Sequence, residues 1–260
     1  LHVEQAIVAL QAGAHVLLEK PIATTLEEAD RIMAAAIAAN RKVAISHNQL
    51  WSAGHRAVRR VVEAGDLGDI FFVRSEGFSA RHVSGRGINQ DWRTQSGAGG
   101  GGPLIDNGYH QVYKAIDIAG APTRVFARIG QHASDIEVED TAVVLIEHDS
   151  GATTSIQVGW CAPAGSIRAD EIFGSRGQLR VGGESPLRIY SHDRGRWEEV
   201  DVEEEGRDEL GFPPLVQEFL DAINDDTDVP EAMTAAASRQ TLAVVVAAYE
   251  SGRSGQPVEL

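Results

Sequence analysis

The segment Gly13-Ala14-His15-Val16-Leu17-Leu18-Glu19-Lys20-Pro21 places a short apolar run between a glycine and a proline. A run of that length without alternation reads as a strand buried on both faces, as in a parallel sheet. Upstream, Val3, Ala6, Ile7 and Leu10 recur at helical spacing, and Gly13 is a good helix stop. Downstream, Thr24 or Thr25 can cap a second helix. Its first turn carries Glu27 and Glu28, which favour the positive end of the helix dipole. That helix is predicted to run to about Asn40, followed by a strand over Lys42 to Ser46. Helix, strand, helix, strand within 46 residues is the order of a doubly wound α/β domain.

Beyond this stretch the pattern changes. A helix is expected over Ala53–Ala64 and a strand over Ile70–Gly77. Phe78 to Gly102 is long, polar and glycine-rich, and Pro103 opens a helix to about Ile118, in the first-turn position that proline favours. Strands are then expected near Thr123–Ile129, Thr141–His148, Thr153–Trp160, Arg168–Phe173, Gln178–Val181, Leu187–Ser191 and Trp197–Val202. Helices near Pro214–Asn224 and Glu231–Ser251 finish the chain. Strands in succession imply an antiparallel or mixed sheet with one face covered by helices. The acidic stretch Asp201 to Glu205 reads as a solvated hairpin or loop.

The 260 residues are 43% hydrophobic and 23% charged, with 23 Lys plus Arg against 38 Asp plus Glu and a net charge of −15. So acidic a surface repels nucleic acid and anionic membrane, and neither is an expected partner. The single cysteine, Cys161, forms no intrachain disulfide, which suits a reducing compartment and a cytoplasmic location. No apolar run approaches the roughly 20 residues that span a bilayer. The first residues lack the basic and apolar regions of a signal peptide. Because the chain opens on Leu1 and directly on an amphipathic helix, it is expected to begin partway through a gene product.

Asp106 and His110 lie four apart on the helix opened by Pro103, a spacing that puts both on one face near its N-terminal end. Gly99 to Gly102, just before, let a backbone or a ligand approach closely. Histidine titrates near neutrality and can take a proton from an alcohol, and a carboxylate can orient it. Taken alone, such a pair is more often a structural contact than a functional one. Lys20 stands at the carboxyl end of the first strand, where ligand sites of open α/β sheets lie. It could polarise a substrate hydroxyl or serve as a surface lysine paired with a carboxylate. Gly97, Gly99 and Gly102 satisfy G-x-G-x-x-G. The stretch before them, Asn89 to Ser96, is polar, so they are not a pyrophosphate loop. No histidine or cysteine spacing indicates a metal site, and no G-x-S-x-G elbow is present.

Several segments together resemble one family. Glu19-Lys20-Pro21 resembles the Glu-Lys-Pro signature of the glucose–fructose oxidoreductase / inositol dehydrogenase / rhizopine catabolism (Gfo/Idh/MocA) proteins. Gly100 to His110 is similar to their second signature, glycines followed by Asp-x-x-x-His. Phe173-Gly174-Ser175-Arg176-Gly177-Gln178-Leu179 is similar to a sheet motif, and Ser251 to Val258 to the usual C-terminus.

The resemblance implies an α/β fold. The C-terminal part of a Rossmann doubly wound domain (1–48) would precede an α/β domain for substrate and oligomerisation (49–260), with a large open, mostly antiparallel sheet. It implies NAD or NADP as cofactor and hydride transfer to or from a sugar, inositol or related polyol. It makes Lys20 the substrate-orienting lysine, Asp106 a substrate-binding acid and His110 the general base. Glu19, Lys20, Asn48, Trp92 and Arg93 match positions at the nicotinamide end of the cofactor. The family's glycine loop would precede Leu1, so weak or no NAD(P) binding is expected of these 260 residues alone. Two other readings stay open: a redox-neutral, NAD-using glycosidase or epimerase on the same scaffold, and a non-catalytic dimerising fragment. Arg81, His82, Arg86, Asn89 and Gln90 are candidates for substrate contact, and the strand-rich half suits a homodimer or homotetramer.

Overall fold

The computed structural model describes residues 2–80, 92–95, 97, 99–132, 135–182, 187–202 and 210–260. Arg81, His82, Arg86, Asn89 and Gln90 lie outside the described residues, as do 203–205 of the acidic stretch. The chain divides into two compact units, one of residues 1–55 with 204–243 and the other of residues 56–203 with 244–260. The sequence reading placed a single cut after residue 48. Residues 204–243 group with 1–55, so the first unit is discontinuous in sequence.

The first unit begins with α1 (His2–Gln11), β1 (Val16–Glu19), α2 (Leu26–Ala39) and β2 (Val43–Ser46). β1 and β2 pair in parallel, from Val16 opposite Val43 to Glu19 opposite Ser46. Thr25 is the cap of α2. Its hydroxyl accepts from the Glu28 amide at 3.2 Å, and the Glu28 carboxylate accepts from the Thr25 amide at 3.2 Å. Asn40, at φ 50, ends α2 in the left-handed conformation that Asn tolerates better than most side chains. All four residues of β2 are buried. Their cover includes α5 (Phe212–Asn224): Ala44 packs in one cluster with Leu215, Phe219 and Met233.

The second unit is built on nine strands: β3 (Ile70–Phe78), β4 (Pro122–Gly130), β5 (Thr141–His148), β6 (Thr153–Gly159), β7 (Ile167–Gly174), β8 (Gly177–Val181), β9 (Leu187–Ser191), β10 (Arg196–Glu199) and β11 (Val258–Glu259). Their order is β10-β9-β8-β7-β3-β6-β5-β4-β11, and among the described residues only the β3–β6 pair is parallel. The mostly antiparallel sheet expected from the sequence is therefore present. The two-residue β11 was not foreseen, being too short for any periodicity.

α3 (Ala53–Glu63) buries Ala57, Val58 and Val61 against Val73, Ile172, Leu179 and Leu187. α4 (Tyr109–Ala119) is tied to β7 by Lys114 Nζ, 2.7 Å from Asp170, and to α3 by the Arg59–Asp117 ion pair. β5 alternates, with Ala142, Val144 and Ile146 fully buried and Val143 and Leu145 exposed. In the β7–β8 hairpin, a Cβ at Gly174 would overlap the Leu67 carbonyl. Ser175 Oγ accepts from the Asp69 amide at 3.0 Å. That motif thus clamps the turn after α3. α6 (Ala235–Ser254) ends with Ser251 Oγ accepting from the Ala127 amide at 2.9 Å, which ties the C-terminal motif to β4.

Candidate active site

In the first unit, the candidate residues gather at the carboxyl end of the parallel strand pair. Glu19 is the exposed last residue of β1, and half-buried Lys20 follows it. His2 Nδ1 donates to the Pro21 carbonyl at 2.9 Å, which ties the turn after Lys20 to α1. Ser46, opposite Glu19, has a buried hydroxyl with no hydrogen-bond partner among the described residues. Asn48 lies in a short 3-10 turn (Asn48–Trp51), 4% exposed, and its Nδ2 donates to the Leu210 carbonyl at 2.7 Å. Its amide nitrogen is thus committed inward.

His47, which the sequence reading passed over, anchors this strand end. Its Nδ1 lies 2.9 Å from the Ala232 carbonyl, which can only accept, so Nδ1 carries the proton. Nε2 then accepts from Ser238 Oγ at 3.1 Å. Burial pushes its pKa down to about 4, with the Lys20 charge lowering it further and the bond to Ala232 opposing both. A neutral histidine beneath Lys20 spares the site a second positive charge.

In the second unit, Asp106 and His110 do not lie on one continuous α-helix. Leu104–Gly108 forms a π turn, and α4 starts only at Tyr109. A π turn closes i→i+5 bonds and is wider than an α turn, so the four-residue spacing does not define an α-helical face here. Asp106 is approached by Arg93, with Nε 3.8 Å from Oδ2. His110 Nδ1 lies 2.6 Å from the buried Tyr113 hydroxyl, one helical turn on. Arg93 also stacks on the exposed ring of Trp92, 4.4 Å from the centroid.

The turn is held by long-range contacts. Asn107 Oδ1 accepts from Trp160 Nε1 at 2.7 Å, and Trp160 is 1% exposed. Glu139 accepts from the Gly102 amide at 2.9 Å and the Leu104 amide at 3.2 Å. The glycines therefore make room for the protein's own groups. A Cβ at Gly101 would overlap Tyr249 Oη, and one at Gly102 would overlap the Glu139 carbonyl. Tyr113 was within reach of sequence reasoning through its i,i+3 spacing to His110. Glu139, Trp160 and Tyr249 carried no such signal.

A histidine with a partnered ring, an acid four residues before it, and a lysine after a parallel strand stand in a chain whose class the family models show: an α/β oxidoreductase with a Rossmann-type beginning. Residues 1–47 match the model described as "Oxidoreductase family, NAD-binding Rossmann fold", and residues 55–180 match the GFO/IDH/MocA C-terminal domain. The chain belongs to the Gfo/Idh/MocA oxidoreductase family.

Among its relatives, 1,5-anhydro-D-fructose reductase of Ensifer adhaerens is 36% identical over 112 residues, 43% of this chain and 32% of the reductase. D-glucoside 3-dehydrogenase of Escherichia coli is 26% identical over 278 residues, covering 100% of this chain and 76% of that protein. The WlbA dehydrogenase of Bordetella pertussis, solved with NADH and UDP-GlcNAcA, superposes with a TM-score of 0.82 at 26% identity, over 100% of this chain and 76% of its own. The chain thus spans about three quarters of two of these proteins, and its match to the reductase is confined to a third of that enzyme.

Proposed function

We propose that this protein is an NAD(P)-dependent dehydrogenase that moves hydride between a CH–OH carbon of a sugar, inositol or related polyol and the nicotinamide ring. The reading rests above all on one observation: a histidine and an acid on a rigidly anchored turn, within a family that binds NAD. The relatives' printed names, a reductase of anhydrofructose and a glucoside 3-dehydrogenase, point to cyclic sugars.

The polar groups at the carboxyl end of the strand pair fit a nicotinamide riboside. An orphaned Ser46 hydroxyl, an exposed Glu19 carboxylate and Lys20 offer donors and acceptors for its hydroxyls and carboxamide. We assign Glu19, Lys20, Asn48, Trp92 and Arg93 to cofactor binding, with residues 1–48 as part of the nucleotide domain and 49–260 as the substrate domain. The cofactor, NAD or NADP, supplies the hydride acceptor.

The chain's own residues do the rest. In the tautomer that donates Nδ1–H to Tyr113 Oη, His110 presents Nε2 as the base that takes the hydroxyl proton as hydride leaves carbon. Asp106 accepts from a neighbouring substrate hydroxyl, with the Arg93 guanidinium 3.8 Å from its carboxylate. Lys20 orients the reacting oxygen and stabilises its developing negative charge.

The exposed Val143 and Leu145 on the open sheet face, with Phe126 opposite Leu145, support a homodimer or homotetramer through that face. The same reading places the protein in the cytoplasm. Among the described residues, no helix is long and apolar enough to cross a membrane.

The test is reduction of NAD+ and NADP+ by D-glucose, methyl β-D-glucoside, myo-inositol and scyllo-inositol, followed by absorbance of the reduced cofactor. Substrate-dependent reduction that is lost in His110→Ala supports the reading. Full turnover in His110→Ala removes His110 from it, and no reduction with any of the four overturns the substrate class.

A further inference from the structure

The segment between β4 and β5 grips both short elements that carry candidate site residues in the second unit. The Glu137 amide donates to the Thr94 carbonyl at 3.0 Å, which holds the 3-10 turn Trp92–Thr94 that carries Arg93. Two residues on, the Glu139 carboxylate accepts from the amides of Gly102 and Leu104, at the start of the turn that carries Asp106 and leads to His110. Its Oε1 also accepts from Tyr249 Oη at 2.7 Å, on α6. Asp140 continues the brace: its carboxylate accepts from the His132 amide at 2.9 Å and from Thr141 Oγ1 at 2.8 Å.

We propose that Glu139, backed by Tyr249, is a positioning residue for the Asp106–His110 turn. The inference rests on the proposed roles of Asp106 and His110.

The physical argument is one of charge and geometry. The first amides of a helical turn lack intrahelical acceptors and carry its partial positive charge. A carboxylate that spans two of them makes charge-assisted bonds, stronger than bonds to a neutral acceptor. The third bond, from Tyr249, fixes the rotation of the carboxylate. Burial and the adjacent Glu139 charge push the Tyr249 phenol well above its ordinary range, so it stays a donor. Gly101 and Gly102 admit these groups because a Cβ at either would overlap them. Small displacements of a reacting group reduce rate steeply, so loss of this brace acts on turnover through Asp106 and His110.

Glu139→Gln keeps the shape but turns an N–H2 toward one of the two amides, setting donor against donor. Its expected effect is a fall in kcat of about ten- to a hundredfold with KM for NAD(P) within about twofold. Tyr249→Phe leaves the carboxylate in place and is expected to lose about three- to tenfold. Against a His110→Ala background, Glu139→Gln is expected to add nothing, because it works through the base. Independently of any substrate, amide exchange over Leu104–His110 is expected to quicken in Glu139→Gln.

Unchanged kcat and unchanged exchange in Glu139→Gln overturn the inference while leaving the dehydrogenase reading standing. A full multiplicative loss in the double variant also overturns it. If His110→Ala alone leaves turnover intact, the underlying reading fails instead. Should Glu139→Gln not fold, Tyr249→Phe decides by the same measurements.

Discussion

Lys20 and His110 both sit at the end of a regular element, yet the two ends are made in different ways. Lys20 follows a four-residue strand bracketed by helices whose caps, stops and apolar spacing all lie within 46 residues. His110 follows a π turn that no local pattern announces. Glu139, Trp160 and Tyr249 hold that turn, from about 30 to 150 positions away in sequence. A strand end can be set by short-range chemistry. The wider π turn is held by contacts from distant segments.

The contrast can be broken most directly at the base. His110→Ala should lower kcat by roughly a hundred- to ten-thousandfold, the range for loss of a general base, with the melting temperature little changed. Steady-state rates and thermal unfolding measure both. A loss of stability without a loss of turnover would make the turn merely structural.

The strand end can be probed through His47. Unfolded, it titrates near 6.5; folded, near 4. Its neutral form is required by the fold, so its contribution is fully present above about 6.5 and is lost as pH falls toward 4. That amounts to roughly 3 kcal/mol across the window. Denaturant unfolding at pH 7 and pH 5 should show the wild type losing stability. His47→Asn should be weaker at pH 7 and less dependent on pH. An unchanged slope would mean that the bonds to Ala232 and Ser238 do not persist.

Gly102→Ala tests the long-range packing of the turn. The added methyl overlaps the Glu139 carbonyl, and relief by shifting backbone should cost about 2 kcal/mol. Thr25→Ala should cost about 1 kcal/mol by removing one half of the α2 capping box, and leave kcat unchanged. Equal effects on kcat from these two variants would erase the distinction between the regions.

Much of the architecture was readable from residues alone. The Thr25 cap, the strands Thr141–His148 and Leu187–Ser191, and the helix expected over Ala53–Ala64 follow from period, caps and turn residues, which act over a few positions. The candidate chemistry was readable as residue types, through the Glu-Lys-Pro and Asp-x-x-x-His patterns. Its support was not. That Asp106 faces Arg93, that Asn48 gives its amide to Leu210, and that the glycines make room for Glu139 and Tyr249 are matters of contact between distant segments.

The amino-acid order thus settled most of the regular elements, which residues are candidates for the chemistry and which family they mark, because propensity, capping and motif spacing are local properties. Folding in three dimensions settled the discontinuous first unit, the strand order of the sheet and the π geometry of the Asp106 turn. Each depends on which buried amides and carboxylates meet across the chain, and a polar group taken out of water must find its partner wherever the fold puts one.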